Sequence, residues 1–151
     1  MQFNVQIKPK DIAKRVQKRG RALRNSIKLA LSRTAQQGIV IIEDNIDEGK
    51  GYKGPFKKYS TGYAKAKKEG WPRTKDRRSF SGDPSGDVNL TVSGLMRGAL
   101  TTKANSSRAE IFFSNANANK KAAFNNKSRP FMGFNRRDEK RLRNVFERNL
   151  A

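Results

Sequence analysis

Apolar and polar positions alternate at the start of the chain, where Phe3, Val5 and Ile7 are interleaved with Gln2, Asn4 and Gln6. That period of two predicts a short half-buried strand. Pro9 follows, and Asp11 falls in the first turn of the next element, where a negative charge suits a helix N-terminus. Over about residues 10–46 the period becomes helical. Ile12, Val16, Gly20, Leu23, Ile27, Ala30, Thr34 and Ile41 lie near one seam at spacings of three, four and seven. An unbroken helix of about 36 residues would be about 54 Å long, whereas a domain of this size is roughly 40 Å across. The pattern therefore predicts either a break at Gly20 or Gly38, or a helix that projects and seeks a neighbour.

Residues 49–87 lose this periodicity. They hold seven Gly, three Pro and eleven Lys or Arg, which predicts an extended basic loop with a short helix at Thr61–Lys68. Loops this long in small domains are functional or disordered. Tyr52, Phe56, Tyr59, Tyr63, Trp71 and Phe80 are interleaved with the cations and argue for a segment that orders against a partner.

Regular patterns return over residues 88–150. Val88, Leu90 and Val92 alternate as a strand, and Ser93 is placed to cap a short helix through Leu100. Leu100–Ala104 and Ala109–Ser114 read as a hairpin around Asn105-Ser106-Ser107. The Asn-, Ala- and Lys-rich stretch 115–128 reads as a polar loop or a short helix near Lys120–Phe124. Pro130 forces Arg129 toward extended backbone. Asn135 is a helix cap with Asp138 and Glu139 in the first turn, and Leu142, Val145, Phe146 and Leu150 line one side of a final helix. The 151 residues read as a single domain without internal repeats.

Composition sharpens this reading. There are 34 Lys and Arg against 13 Asp and Glu, for a formal charge of +21. By the usual definition the chain is roughly 40% apolar, against about 45–50% for ordinary domains, so its core is thin. Such a cationic surface implies nucleic acid, an anionic membrane or an acidic protein partner. No apolar run approaches the roughly 20 residues that span a bilayer. The first residues lack a signal peptide's basic start and apolar stretch, so synthesis and use in a cytoplasm are expected.

The chain has neither Cys nor His. Disulfides and thiolate metal sites are excluded, and the usual general base and triad histidine are missing. No Gly-rich phosphate loop occurs. Glu43 and Asp47, four apart on one helical face, could hold a divalent cation for nuclease chemistry. Acidic relief at the end of a basic helix explains them more simply, and Asp138-Glu139 suits a helix start. The expectation is a protein that is not an enzyme and uses no cofactor or metal. Residues 8–33 carry ten cations and one acid, and Lys14, Lys18, Arg21 and Lys28 share a face opposite the apolar seam. That face fits either a polyanion or an acidic protein partner. The mixed cations and aromatics of 49–87 fit single-strand stacking, but burial at an interface or on the chain's own body is the simpler use of such rings.

The order of these pieces resembles the head–tail joining and tail-completion proteins of tailed bacteriophages, also called virion morphogenesis proteins. A basic helix precedes Tyr59-Ser60-Thr61-Gly62-Tyr63-Ala64-Lys65. A strand then runs into Ser93-Gly94-Leu95-Met96, similar to the family's Thr-Gly-x-Leu, and a hairpin leads to Arg129-Pro130-Phe131-Met132-Gly133 and a terminal helix. The resemblance covers most of residues 10–150, and the Arg-Pro-Phe-Met-Gly segment is its most specific element. The chain departs from the pattern before Arg129, where relatives often carry His and Gly and this sequence is Asn-rich. The resemblance implies an α+β fold, a small antiparallel sheet packed by the long and terminal helices. It also implies a homo-oligomeric ring of about six subunits in the virion neck, joined to portal, adaptor and tail proteins, with DNA in the channel and no membrane. Tyr59, Tyr63, Trp71, Arg129, Pro130, Phe131 and Gly133 become candidate subunit or partner contacts. A basic nucleic-acid-binding protein of phage DNA handling is the rival expectation.

Overall fold

A computed structural model describes residues 20–75, 79–83, 88, 90 and 96–150. The expected strand at Phe3–Ile7, the candidate contacts Lys14 and Lys18, and the cap at Ser93 lie outside the described residues. The fold is α+β, with four helices and two small antiparallel two-stranded sheets among the described residues.

Helix α1 runs Gly20–Asp47, 28 residues, or about 42 Å. Ile27, Ala30, Leu31, Thr34, Ala35, Ile41, Ile42 and Ile46 are its buried face. This stripe is wider than the predicted seam because α1 is covered by both the hairpin and the last helix. Thr34 is tolerated inside because its hydroxyl donates to the Ala30 carbonyl at 2.8 Å. Gly38, one of two candidate break points, lies mid-helix without interrupting it. A Cβ there would stand 2.7 Å from Ile111 Cδ1 and 3.0 Å from the Phe134 ring. Its missing side chain is therefore space occupied by neighbours, and packing supplies what helix propensity lacks.

The chain then makes a minimal ribbon, β1 (Lys50–Gly51) paired with β2 (Gly54–Pro55). Helix α2 follows at Thr61–Glu69, one residue longer than expected. Of Val88, Leu90 and Val92, predicted to alternate in a strand, Val92 lies outside the described residues, and Val88 and Leu90 are irregular instead. Leu90 sits at φ 53°, in the left-handed region, and both side chains lean on the core. A backbone hydrogen bond from Leu90 to Tyr59 belongs to this arrangement. Tertiary contacts thus override a local β pattern.

A 3-10 turn at Arg97–Ala99 leads into the hairpin β3 (Leu100–Ala104) and β4 (Ala109–Phe113). Its register pairs Leu100 with Phe113 and Ala104 with Ala109. At the turn, Asn105 Oδ1 accepts from the amides of Ser107 and Arg108 at 2.8 and 2.9 Å, an Asx-type closure. Ala109, Ile111 and Phe113 alternate inward and pack over α1. Arg97 ties the turn to the end of α1, meeting both Asp47 carboxylate oxygens at 2.5 and 3.0 Å. The hydrogen-bonded Asp47 carboxylate raises the Arg97 pKa further above its ordinary range. Asp47 is thus held by an arginine, which is the use found for one of the two carboxylates weighed as cation ligands.

Helix α3 spans Ala116–Ser128, where the sequence left open a polar loop or a short helix near Lys120–Phe124; Asn115 caps it with an acceptor 2.8 Å from the Ala118 amide. Helix α4 spans Arg136–Leu150. Asn135 and Asp138 cap it reciprocally: Asn135 Oδ1 accepts from the Asp138 amide at 2.9 Å, and Asp138 Oδ2 from the Asn135 amide at 3.3 Å. Leu142 and Phe146 bury its inner face against α1, and fully burying such a side chain stabilises by about 1.5–3 kcal/mol. Arg33 Nη1 donates to Asn149 Oδ1 at 2.7 Å across the two helices.

Candidate functional site

Two of the sequence elements quoted above, Tyr59–Lys65 and Arg129–Gly133, meet in space through Arg129 and Tyr59, next to a close approach of the second element to β1. Gly51 in β1 is buried with no side chain, and the carbonyl of Pro130 fills the space; a Cβ on Gly51 would stand 2.0 Å from that oxygen. Gly133 plays the matching part three residues on, where the Tyr52 ring lies 2.6 Å from the position of a Cβ. Tight backbone approach of this kind is what glycine permits. Phe131 and Met132 enter the core between these contacts. The Met132 amide donates to Asn126 Oδ1 at 2.9 Å, which ties the segment to α3.

Arg129 extends this clamp outward. Its Nε donates to the Lys57 carbonyl at 2.8 Å and its Nη2 to the Lys58 carbonyl at 3.3 Å. Its guanidinium carbon lies 4.6 Å from the centroid of the Tyr59 ring, a cation–π distance. Tyr63, one turn into α2, meets Tyr59 edge-on with centroids 4.8 Å apart. Ser60 caps α2 through its hydroxyl, which accepts from the Tyr63 amide at 3.4 Å. On the same helix Lys67 is fully buried, with Nζ 5.3 Å from the Tyr59 centroid and 3.1 Å from the Asp83 carboxylate. Burial, first, and the neighbouring Tyr63 push the Tyr59 pKa above its ordinary value, while the Leu90 hydrogen bond and Arg129 pull the other way.

The outer part of the segment is held similarly. Gly70, at φ 82°, ends α2 and turns the chain back. Trp71 and Phe80 then exchange backbone hydrogen bonds of 2.8 and 2.9 Å, and their ring centroids are 4.8 Å apart. The segment expected to order against a partner is therefore ordered, where described, by its own chain. The reason is the reach of Arg129 and Pro130 back to residues 51–59, a contact that short-range patterns do not contain.

The predicted contact residues accordingly divide. Tyr59, Arg129, Pro130 and Gly133 build the clamp. Phe131, 1% exposed, is a core residue with no face left for a neighbour. Trp71 is half-buried against Phe80. Tyr63 keeps 40% of its surface exposed and is the member best placed to meet another molecule. Of the cationic face, Lys28 is exposed on α1; Arg21 lies on the same helix, and its side chain is outside the described residues.

Some surface features went unread in the sequence. Phe124 on α3 is 76% exposed, and Leu29 and Val40 are exposed on α1. Leu29 and Val40 are eleven residues apart, which returns them to nearly the same side of a helix. Phe124 lies within an Asn- and Lys-rich stretch that gave no periodic signal. Comparison with protein-family models, with curated proteins and with solved structures finds no match to this chain.

Proposed function

We propose that the protein is a structural, non-enzymatic component of a tailed-phage virion: a ring-forming neck or tail-completion subunit that joins the portal or connector to the tail. The observation that carries this reading is the clamp. The Tyr-x-x-x-Tyr-Ala-Lys and Arg-Pro-Phe-Met-Gly elements, remote in sequence and the most specific parts of the resemblance, form one packed unit through Arg129 and Tyr59. The terminal helix and the hairpin follow in the order the resemblance implies.

In this reading the work is binding without chemistry. The exposed Tyr63, Phe124, Leu29 and Val40 offer apolar points for neighbouring copies in a ring of about six, since closed rings are how head-to-tail contacts terminate. The cationic surface docks acidic neck and tail proteins or DNA in the channel. The protein is assembled in the host cytoplasm and retained in the particle.

Quantitative mass spectrometry of purified particles of the phage that encodes the chain tests this. A small fixed number of copies per portal, about six or twelve, is expected. Absence from the particle would overturn the structural role. The net charge of +21 would then put the second reading, a nucleic-acid-binding protein of phage DNA handling, in its place.

A further inference from the structure

We propose that the outer face of α4 is a docking surface for the phosphate backbone of double-stranded nucleic acid. At 3.6 residues per turn, Arg137, Arg141, Asn144 and Arg148 fall within an arc of about 60°, roughly opposite the buried Leu142 and Phe146. All four are exposed. The three acids of this helix lie off that arc: Asp138 is engaged in the cap with Asn135, Glu139 lies toward the buried flank, and Glu147 lies beside Lys140 and Arg143. Among the described residues no carboxylate pairs with Arg137, Arg141 or Arg148. On this face Arg148 Nε donates to its own helix, at the Asn144 carbonyl 3.3 Å away.

The make-up of the face selects the ligand. Arginine presents a planar fork that binds phosphate oxygens in pairs, and five of the six cations on α4 are arginine. Arg and Asn are the side chains that hold a nucleic-acid backbone in register. The core of a protein interface is depleted of charge and rich in aromatic anchors, whereas this arc consists of three arginines and an asparagine. A single strand would need aromatic platforms for its bases, and this arc has none of those either. From Arg137 to Arg148 the stripe runs about 16 Å. A strand winds about the duplex axis as it rises about 3.4 Å per phosphate, so a straight stripe of this length meets a few successive phosphates, enough for its three arginines. At its C-terminal end Asn149 holds Arg33 of α1, an exposed cation that continues the positive surface onto the next helix.

The test is fluorescence anisotropy of a labelled random-sequence 24-base-pair DNA duplex against the full chain, over a series of salt concentrations. The variant R137Q/R141Q/R148Q removes three charges from the stripe with near-equal helix propensity. The control K120Q/K121Q/K127Q removes three from the exposed surface of α3. Loss of three phosphate contacts is expected to weaken low-salt binding at least about tenfold and to flatten the slope of log affinity against log salt by about 2.7. The control is expected to change the slope by less than about one. R137K/R141K/R148K, which keeps charge and helix, is expected to retain the wild-type slope with a several-fold weaker affinity. Equal losses in the two Gln triples would reduce the effect to unlocalised charge and overturn the proposal. So would a wild-type chain that does not bind, or a single strand of equal length bound as tightly through the same three arginines. Since the readout is DNA binding by the isolated chain, its failure is distinct from absence of the protein from the particle.

Discussion

Replacing Arg129 with Ala opens the clamp at the point where the two distant elements meet. The side chain contributes one short hydrogen bond from a charged donor, to the Lys57 carbonyl at 2.8 Å, and one long one to the Lys58 carbonyl at 3.3 Å. For a half-buried group these contribute about 1–1.5 and about 0.5 kcal/mol. The guanidinium over the Tyr59 ring adds about 0.5–1 kcal/mol. The expected loss is about 2–3 kcal/mol, which for a domain of this length lowers the melting temperature by about 5–8 °C. R129K keeps a cation near the ring but cannot serve both carbonyls, and about half the loss is expected. The cycle of R129A with Y59L should show a coupling of about 0.5–1 kcal/mol. Thermal unfolding followed by circular dichroism reads the helices, while the fluorescence of Trp71, the sole tryptophan, reads the segment the clamp secures. A melting temperature within 1 °C of wild type for R129A, or a cycle with no coupling, would refute this account of the clamp.

The remaining predictions concern close approach and titration. An exposed mid-helix Gly-to-Ala change gains about 1 kcal/mol, but G38A drives a Cβ to 2.7 Å from Ile111 and 3.0 Å from Phe134. Overpacking of about 1–3 kcal/mol outweighs the gain, so a lower melting temperature is expected, and a rise would show that the hairpin yields freely. G51A meets backbone, at 2.0 Å from the Pro130 oxygen, and should destabilise by about 3 kcal/mol; G62A, with open space around it on α2, should not destabilise at all, and urea titrations of the pair decide it. The raised Tyr59 pKa means that the folded chain holds the phenol proton more tightly than the unfolded one. Its contribution is full below the ordinary tyrosine pKa of about 10 and is lost as pH rises through the higher folded value. Wild type should therefore lose stability relative to Y59F as pH rises above about 10, and parallel pH profiles would contradict the assignment.

Much of the architecture was legible in the residues themselves. Helical spacing placed α1 and α4. The Asn105-Ser106-Ser107 turn placed the hairpin, and Asn135 with Asp138 marked a helix start, because each is a local device whose partners lie within four residues. The arginine stripe of α4 was also there to be read, as spacings of four and seven, but became a surface only once Leu142 and Phe146 fixed which side faces α1. Other features had no local signature. Gly38 was one of two candidate break points, but Ile111 of β4 and Phe134, just ahead of α4, occupy the space beside it. Lys67, one of the eleven cations of residues 49–87, is buried against Asp83 and Tyr59, and nothing in its neighbours along the chain distinguishes it from the other ten. Val88 and Leu90 alternated like a strand, but contact with the core and Tyr59 imposed another backbone. Phe131, taken for a partner contact, went inside. Local sequence sets period, caps and net charge because those act over one or two turns. The clamp depends on Arg129 reaching residues 57–59, about 70 positions away, and only tertiary structure decides which of many cations and rings meet at that distance.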